Sequence, residues 1–247
     1  MDTYATAQNI GLRSHQCDAT AVHTSPGGIR AYALLDGIGS TDTISAWTRN
    51  TARRVARAAA QRGSAEAGLR AVYDRYAAIP ARNDPFTRYD LPAAAVVVAV
   101  TVPGKPITIA WCGDSRAYVI VGNHPAVKIT QDHNLRRVRP PRGNRNIITS
   151  YLGAAETDAE CVNTFGHPAI EAFTIPLEPL RLVLASDGAY EPYEDGGRPL
   201  AAELAGPTDA AAHRFVDGAV RISAEAGPGR PSADNATVLI ADIQAST

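Results

Sequence analysis

Leu180-Arg181-Leu182-Val183-Leu184-Ala185-Ser186-Asp187-Gly188 is the stretch that decides the fold of this chain. An apolar run of this length, entering straight into an acid and a glycine, reads as a core strand ending in a turn. Asp187 then sits at the lip of a sheet with its side chain free. The same grammar occurs three more times. Ala33-Leu34-Leu35 runs into Asp36-Gly37, and Ile107 to Cys112 runs into Gly113-Asp114-Ser115-Arg116. Asp234-Asn235 opens the run Ala236 to Ala241.

One Asp at a strand end is ordinary turn chemistry, because its side chain bonds the local backbone. Four such acids, each with Gly or Asn beside it, point further. If they converge, they repel one another unless a cation lies between them. Oxygen-only ligands favour a hard ion such as Mg²⁺ or Mn²⁺ over zinc.

With 247 residues, 45% of them hydrophobic, the chain can bury one substantial core. No Pro/Ser-rich linker divides it, so a single domain over 1–247 is expected. A formal net charge of -1 argues against nucleic acid as a partner. Cys17, Cys112 and Cys161 are scattered, odd in number and form no C-x-x-C, so neither a zinc knuckle nor a disulfide framework is suggested. A reducing, cytoplasmic setting fits that usage. The N-terminus lacks a basic-then-apolar leader. The longest apolar stretch, 93–102, is too short to span a bilayer and reads as a central strand, so no membrane partner is expected.

Along the chain, residues 4–35 read as β segments joined by short turns, for which antiparallel hairpins are the economical arrangement. Ser40-Thr41-Asp42 is an N-cap cluster. After it Ile44, Trp47, Thr51, Val55 and Ala59 recur at helical spacing as far as Gly63. A second helix carries Leu69, Val72, Tyr73 and Tyr76 and stops before Pro80. Residues 81–92 are expected to form a loop. Strands follow at 93–102, 106–112, 116–121, 126–129, 169–175 and 181–185. A short helix is expected at 199–204, and a longer one from Thr208 to about Ala226, broken by Gly227-Pro228-Gly229. Residues 134–147 hold five arginines and no acid. They fit either a solvated mobile loop or a basic flap that meets phosphorylated or acidic substrate. Strands, two helices, many strands, a helix and a strand make an α+β fold.

The motifs in order are Arg13…Asp18, Asp36-Gly37-Ile38-Gly39, Gly113-Asp114-Ser115-Arg116, Thr130-Gln131-Asp132-His133, Ser186-Asp187-Gly188 and Asp234-Asn235. Taken together over nearly the whole chain, they resemble the PPM (type 2C) metal-dependent serine/threonine protein phosphatases, especially the short bacterial members. The resemblance implies an antiparallel β-sandwich flanked by helices on both faces, in α-β-β-α layers, with a flap segment about 134–168. It implies hydrolysis of phosphoserine and phosphothreonine on proteins by a hydroxide bridging two Mn²⁺ or Mg²⁺ ions, with no covalent intermediate. Asp36 would bridge the ions and the Gly37 carbonyl would complete one site. Asp187 and Asp234 would hold the other. Asp18 would act directly or through water, and Asp114 would bind a third, weaker ion. Arg13 would meet the substrate phosphate, since a guanidinium fork suits two phosphate oxygens. The phosphoprotein partner could be a serine/threonine kinase or its targets.

Several places depart from the family pattern. Ile38 stands where some relatives carry a histidine. Gln16 and Cys17 precede Asp18, the D-G-x-G-G motif ends here in Ser40, and Ala189, Tyr190 and Glu191 follow S-D-G. Asp114 has a second reading as a structural partner of Arg116. His133 is expected to play a structural hydrogen-bonding role, and histidines 15, 23, 124, 167 and 213 to lie on the surface or in loops. Cys17 beside the site suggests oxidation-sensitive activity, which a Cys17→Ser variant with unchanged peroxide inactivation would refute. The competing hypothesis is a non-catalytic phosphatase-like binding or scaffold domain. Turnover at millimolar Mn²⁺ separates the two.

Overall fold

The computed structural model describes residues 3–225 and 233–244. In chain order its elements are β1 (Thr3–Asn9), β2 (Ala19–Thr24), β3 (Arg30–Gly37), α1 (Asp42–Arg62) and α2 (Ala65–Ala77). Then come β4 (Ala94–Thr101), β5 (Ile107–Cys112), β6 (Arg116–Ile120), β7 (Val127–Lys128), α3 (Leu135–Val138) and α4 (Asp158–Phe165). The last are β8 (Glu171–Ile175), β9 (Leu180–Ala185), α5 (Asp187–Asp195), α6 (Leu200–Glu203), α7 (Thr208–Glu225) and β10 (Ala236–Ile243). The anticipated break at Gly227-Pro228-Gly229 lies outside the described residues.

Two five-stranded antiparallel sheets result, ordered β1-β10-β9-β6-β7 and β2-β3-β4-β5-β8. The central strands β3, β4, β9 and β10 are apolar on both faces because both faces are covered. In β3, Tyr32 and Leu34 point between the sheets, while Ala33 and Leu35 meet α1 and α2. In β9, Leu182 and Leu184 point inward, while Val183 and Ala185 pack under α5 and α7. Period-2 alternation thus feeds two cores per sheet rather than one core and solvent. The architecture is four layers, α-β-β-α.

The helix signals act as read. The Thr41 hydroxyl accepts the Ile44 N–H and starts α1; Gly63, in the left-handed region, ends it. The Ser64 hydroxyl does the same for α2. Four expectations need correction. β1 forms no hairpin with β2; it pairs with β10 from the far end of the chain, so the first and last strands lie in one sheet. Residues 81–92 contain two 3-10 turns, Pro80–Arg82 and Arg88–Asp90, with Arg82 buried. Residues 134–147 are no plain loop, because α3 lies within them. Asp187 does not end in a turn but opens α5. Among the described residues no helix is long and apolar enough to cross a membrane.

Candidate active site

Antiparallel pairing brings one set of strand ends to one mouth of the sandwich. The C-terminal ends of β3, β5 and β9 and the N-terminal ends of β6 and β10 all arrive there. Asp36 closes β3, Asp114 sits in the β5–β6 turn, Asp187 follows β9 and Asp234 precedes β10. A cleft of about 780 Å³ opens at this mouth, lined among others by Arg13, Asp36, Gly37, Asp114, Asp187 and Asp234. Asp18 is not part of the lining. It is buried behind the others, 3% exposed.

Local bonds fix the segments that carry Asp187, Asp234 and Asp18. The Ser186 N–H donates to the Thr237 carbonyl at 3.1 Å and Thr237 N–H returns to Ser186 Oγ at 3.0 Å, clamping the start of α5 to β10. Asn235, beside Asp234, accepts from the Cys17 N–H at 2.8 Å and donates to the Ile10 carbonyl at 2.9 Å. It therefore ties the segment bearing Arg13 and Asp18 to Asp234. Gly188 permits this closeness: a Cβ there would stand 2.2 Å from the Asn235 carbonyl oxygen. Gly37 is required for packing as well, since its Cβ would stand 2.5 Å from the Cys17 carbonyl oxygen and 2.8 Å from Thr48 Oγ1.

The electrostatics are those of crowded carboxylates. Burial raises the pKa of Asp36, and Asp18, Asp187, Asp114 and Asp234 raise it further. Asp18 is pushed to about 8 by burial, with Asp187 and Asp234 adding to the shift against help from the Thr237 and Ser186 hydroxyls. Asp187 is raised by burial and by Asp234, and is pulled back by a hydrogen bond with Asp36. Asp114 is raised by burial and by Asp187. Asp36 and Asp187 keep an open edge to the cleft, yet each stands deep enough among protein atoms to resist ionisation. Arg13 pairs with Asp234 at 2.5 Å, and both are nearly half exposed.

The donor set suits a hard divalent cation. It is all oxygen, and Asp18 Oδ2 is buried without a hydrogen-bond partner, an orphan that a cation or its water would satisfy. The acids are gathered but not drawn to one point; among the described residues no three acidic, histidine or cysteine groups form a ready-made metal cluster.

Other predicted residues take different places. Asp114 is not the partner of Arg116. That guanidinium binds Asp132 with Nε and Nη2 and Glu194 with Nη1. His133 is fully buried, with Nε2 donating to Glu171 at 3.0 Å. His167 lies in the loop between α4 and β8, as one of the two expectations for it had it, but it is buried there, stacked on His133 with centroids 4.2 Å apart. Three of the arginines expected to stand free are engaged. Arg137 pairs with Glu171, Arg136 binds the Gly143 carbonyl, and Arg145 pairs with Asp195 and Glu191. Cys17 is 1% exposed and burial raises its thiol pKa, which disfavours the reactive thiolate.

Glu191 is the cleft residue that sequence reasoning missed. It faces the cleft one helical turn after Asp187, and burial together with the Asp187 charge pushes its carboxyl to about 7. The i, i+4 spacing from Asp187 was the available signal, but it counts only once α5 is known to be a helix.

A helix-flanked antiparallel sandwich with acids from both sheets at one mouth defines a hydrolase-like carboxylate cleft. The chain belongs to the protein phosphatase 2C family: the family model matches residues 11–139, just over half of the sequence. It is by family a serine/threonine protein phosphatase. No curated protein is matched by the sequence. Solved structures resemble it nearly end to end. The S. agalactiae serine/threonine phosphatase is 18% identical with a TM-score of 0.74, covering 99% of this chain and 100% of that one. Stp1 from Staphylococcus aureus is 20% identical with a TM-score of 0.71, covering 99% and 96%. The Mycobacterium tuberculosis phosphatase PstP/Ppp is 23% identical with a TM-score of 0.68, covering 98% and 99%. At these identities the likeness concerns the fold.

Proposed function

We propose that this cleft hydrolyses phosphoserine and phosphothreonine monoesters on proteins with the help of two divalent ions, Mn²⁺ or Mg²⁺. The observation that carries the reading is the convergence of Asp36 from one sheet with Asp187 and Asp234 from the other on a single cleft. Like charges are brought together in this way at a cost to the fold, which a bound cation offsets. Asp36, the Gly37 carbonyl, Asp187 and Asp234 would hold the two ions, with Asp18 acting from behind. Asp114 and Glu191 would hold a third, weaker ion. Bound there, the ions supply an activated water and neutralise charge on the phosphoryl oxygens.

The chain's own groups do the rest. Arg13, half exposed at the rim, would leave Asp234 and take two phosphate oxygens with its fork. Ile38 is exposed beside Asp36 and has no proton to give. The leaving alkoxide is therefore protonated from water, and aryl phosphates with good leaving groups should turn over fastest. The phosphoprotein is a serine/threonine kinase or a target of one.

The test is turnover of an aryl phosphate at millimolar Mn²⁺. EDTA and Asp187→Asn should each abolish it. Activity that survives both would remove the two-ion reading, and a metal-replete wild type without turnover would favour a binding domain instead.

A further inference from the structure

Tyr190 is a buried polar side chain that the two-ion reading leaves without a task. It lies on α5 between Asp187 and Glu191 and is fully buried. Its hydroxyl donates to the backbone carbonyl of Asp114 at 2.9 Å. One face of its ring carries the Arg116 guanidinium, 3.8 Å from the centroid, and Tyr118 meets it edge-on.

Arg116 cannot drift. Asp132 holds it through two bonds of 2.8 and 2.7 Å, and Nη1 reaches Glu194 at 2.6 Å and the Tyr118 hydroxyl at 3.0 Å. The ring is therefore a rigid arm between α5 and the Gly113-Asp114-Ser115 turn. On its other side that turn is held by the His133 N–H, which donates to the Gly113 carbonyl at 2.9 Å. Burial keeps the phenol protonated and able to donate.

We infer that Tyr190 is a positioning residue whose hydroxyl sets the spacing of Asp114 from Glu191, and so tunes the weaker divalent-cation site that these two acids would hold. The inference rests on the two-ion reading. Its physical basis is that oxygen ligands of small hard cations must be held at fixed spacing, and that the backbone of Asp114 moves if its carbonyl loses the one donor reaching it from α5. The ions at Asp36, Asp187 and Asp234 do not depend on that turn.

The experiment is Mn²⁺ binding to the full chain by calorimetry, with melting in EDTA run alongside. Tyr190→Phe keeps the ring and its stack and deletes only the donor. It should weaken the low-affinity class about tenfold, leave the tight class within twofold, and change the metal-free melting temperature little. Asp114→Asn should erase the low-affinity class and serves as reference. If Tyr190→Phe fails to fold, Arg116→Lys, which loosens the stack, should weaken the same class selectively. An unchanged low-affinity class, or equal weakening of both classes, overturns the inference. A wild type with no class sensitive to Asp114→Asn overturns it too, while leaving the two-ion reading in place. That reading falls separately if Asp187→Asn leaves tight binding intact.

Discussion

Asp18 shows at the scale of one residue what the cleft costs. It is the most deeply buried of the acids, and one of its oxygens has no partner. Its folded-state pKa of about 8 lies above the ordinary 3.8. Protons therefore favour the fold. The stabilisation is complete below about pH 4 and is lost as pH rises through 8. In EDTA the melting temperature should fall across that interval, and Asp18→Asn should flatten the slope and melt higher at pH 8. A metal-free melting curve that rises from pH 4 to 8, equally in both proteins, would refute this. Glu171 carries the opposite sign. Burial resists its ionisation, but the bonds from Arg137 and His133 prevail and hold it at about 2, below the ordinary 4.5. Its contribution is complete above pH 4.5 and fades toward pH 2. The two groups can be separated by the pH range in which each acts.

At the scale of elements, α3 is where charge counting in the sequence misleads. Five arginines without a nearby acid look like a free basic array, yet the acids come from β8 and α5. The Arg137–Glu171 pair is about three-quarters buried on each side. Removing one partner of such a pair, allowing for its partial exposure, should cost about 1–3 kcal/mol. Arg137→Ala should lower the melting temperature and reduce turnover of phosphoproteins and of an aryl phosphate alike. Arg139 and Arg142 are exposed, with no ion pair among the described residues. Their replacement by Ala should spare the aryl phosphate and slow phosphoproteins, and equal losses on both substrates would count against a recruiting role. The same scale sets what was legible beforehand. The strands at 30–37, 94–101 and 180–185 and the capped helices α1 and α2 follow from local patterns, and so do the acids at the strand ends. α5 was hidden because Gly188 and Pro192 are both helix breakers; it persists because Ala189, Tyr190 and Tyr193 pack beneath α7, with Tyr193 stacked on Phe215 at 4.7 Å. α4 left a usable signal, the Thr157…Glu160 capping box. The pairing of β1 with β10 left none, because nothing local encodes a contact between residues more than two hundred apart.

For the whole molecule, the consequence lies in how the two sheets meet at the cleft. Asp36 belongs to the sheet of β2, β3, β4, β5 and β8, while Asp187 and Asp234 flank strands of the other. A cation bound between them would bridge the sheets at the end where mutual repulsion among carboxylates pries them apart. Binding to the folded state alone at a hundredfold excess over Kd adds about 2.7 kcal/mol of stability. For a chain of this size each kcal/mol raises the melting temperature by about 2–4 °C. Saturating Mn²⁺ should therefore raise it by at least about 5 °C over EDTA. Asp36→Asn should cancel most of that shift while melting no lower than wild type in EDTA, because it also removes a repelling charge. A variant that melts lower in EDTA and still gains the full Mn²⁺ increment would mean that the acids of the two sheets do not share an ion.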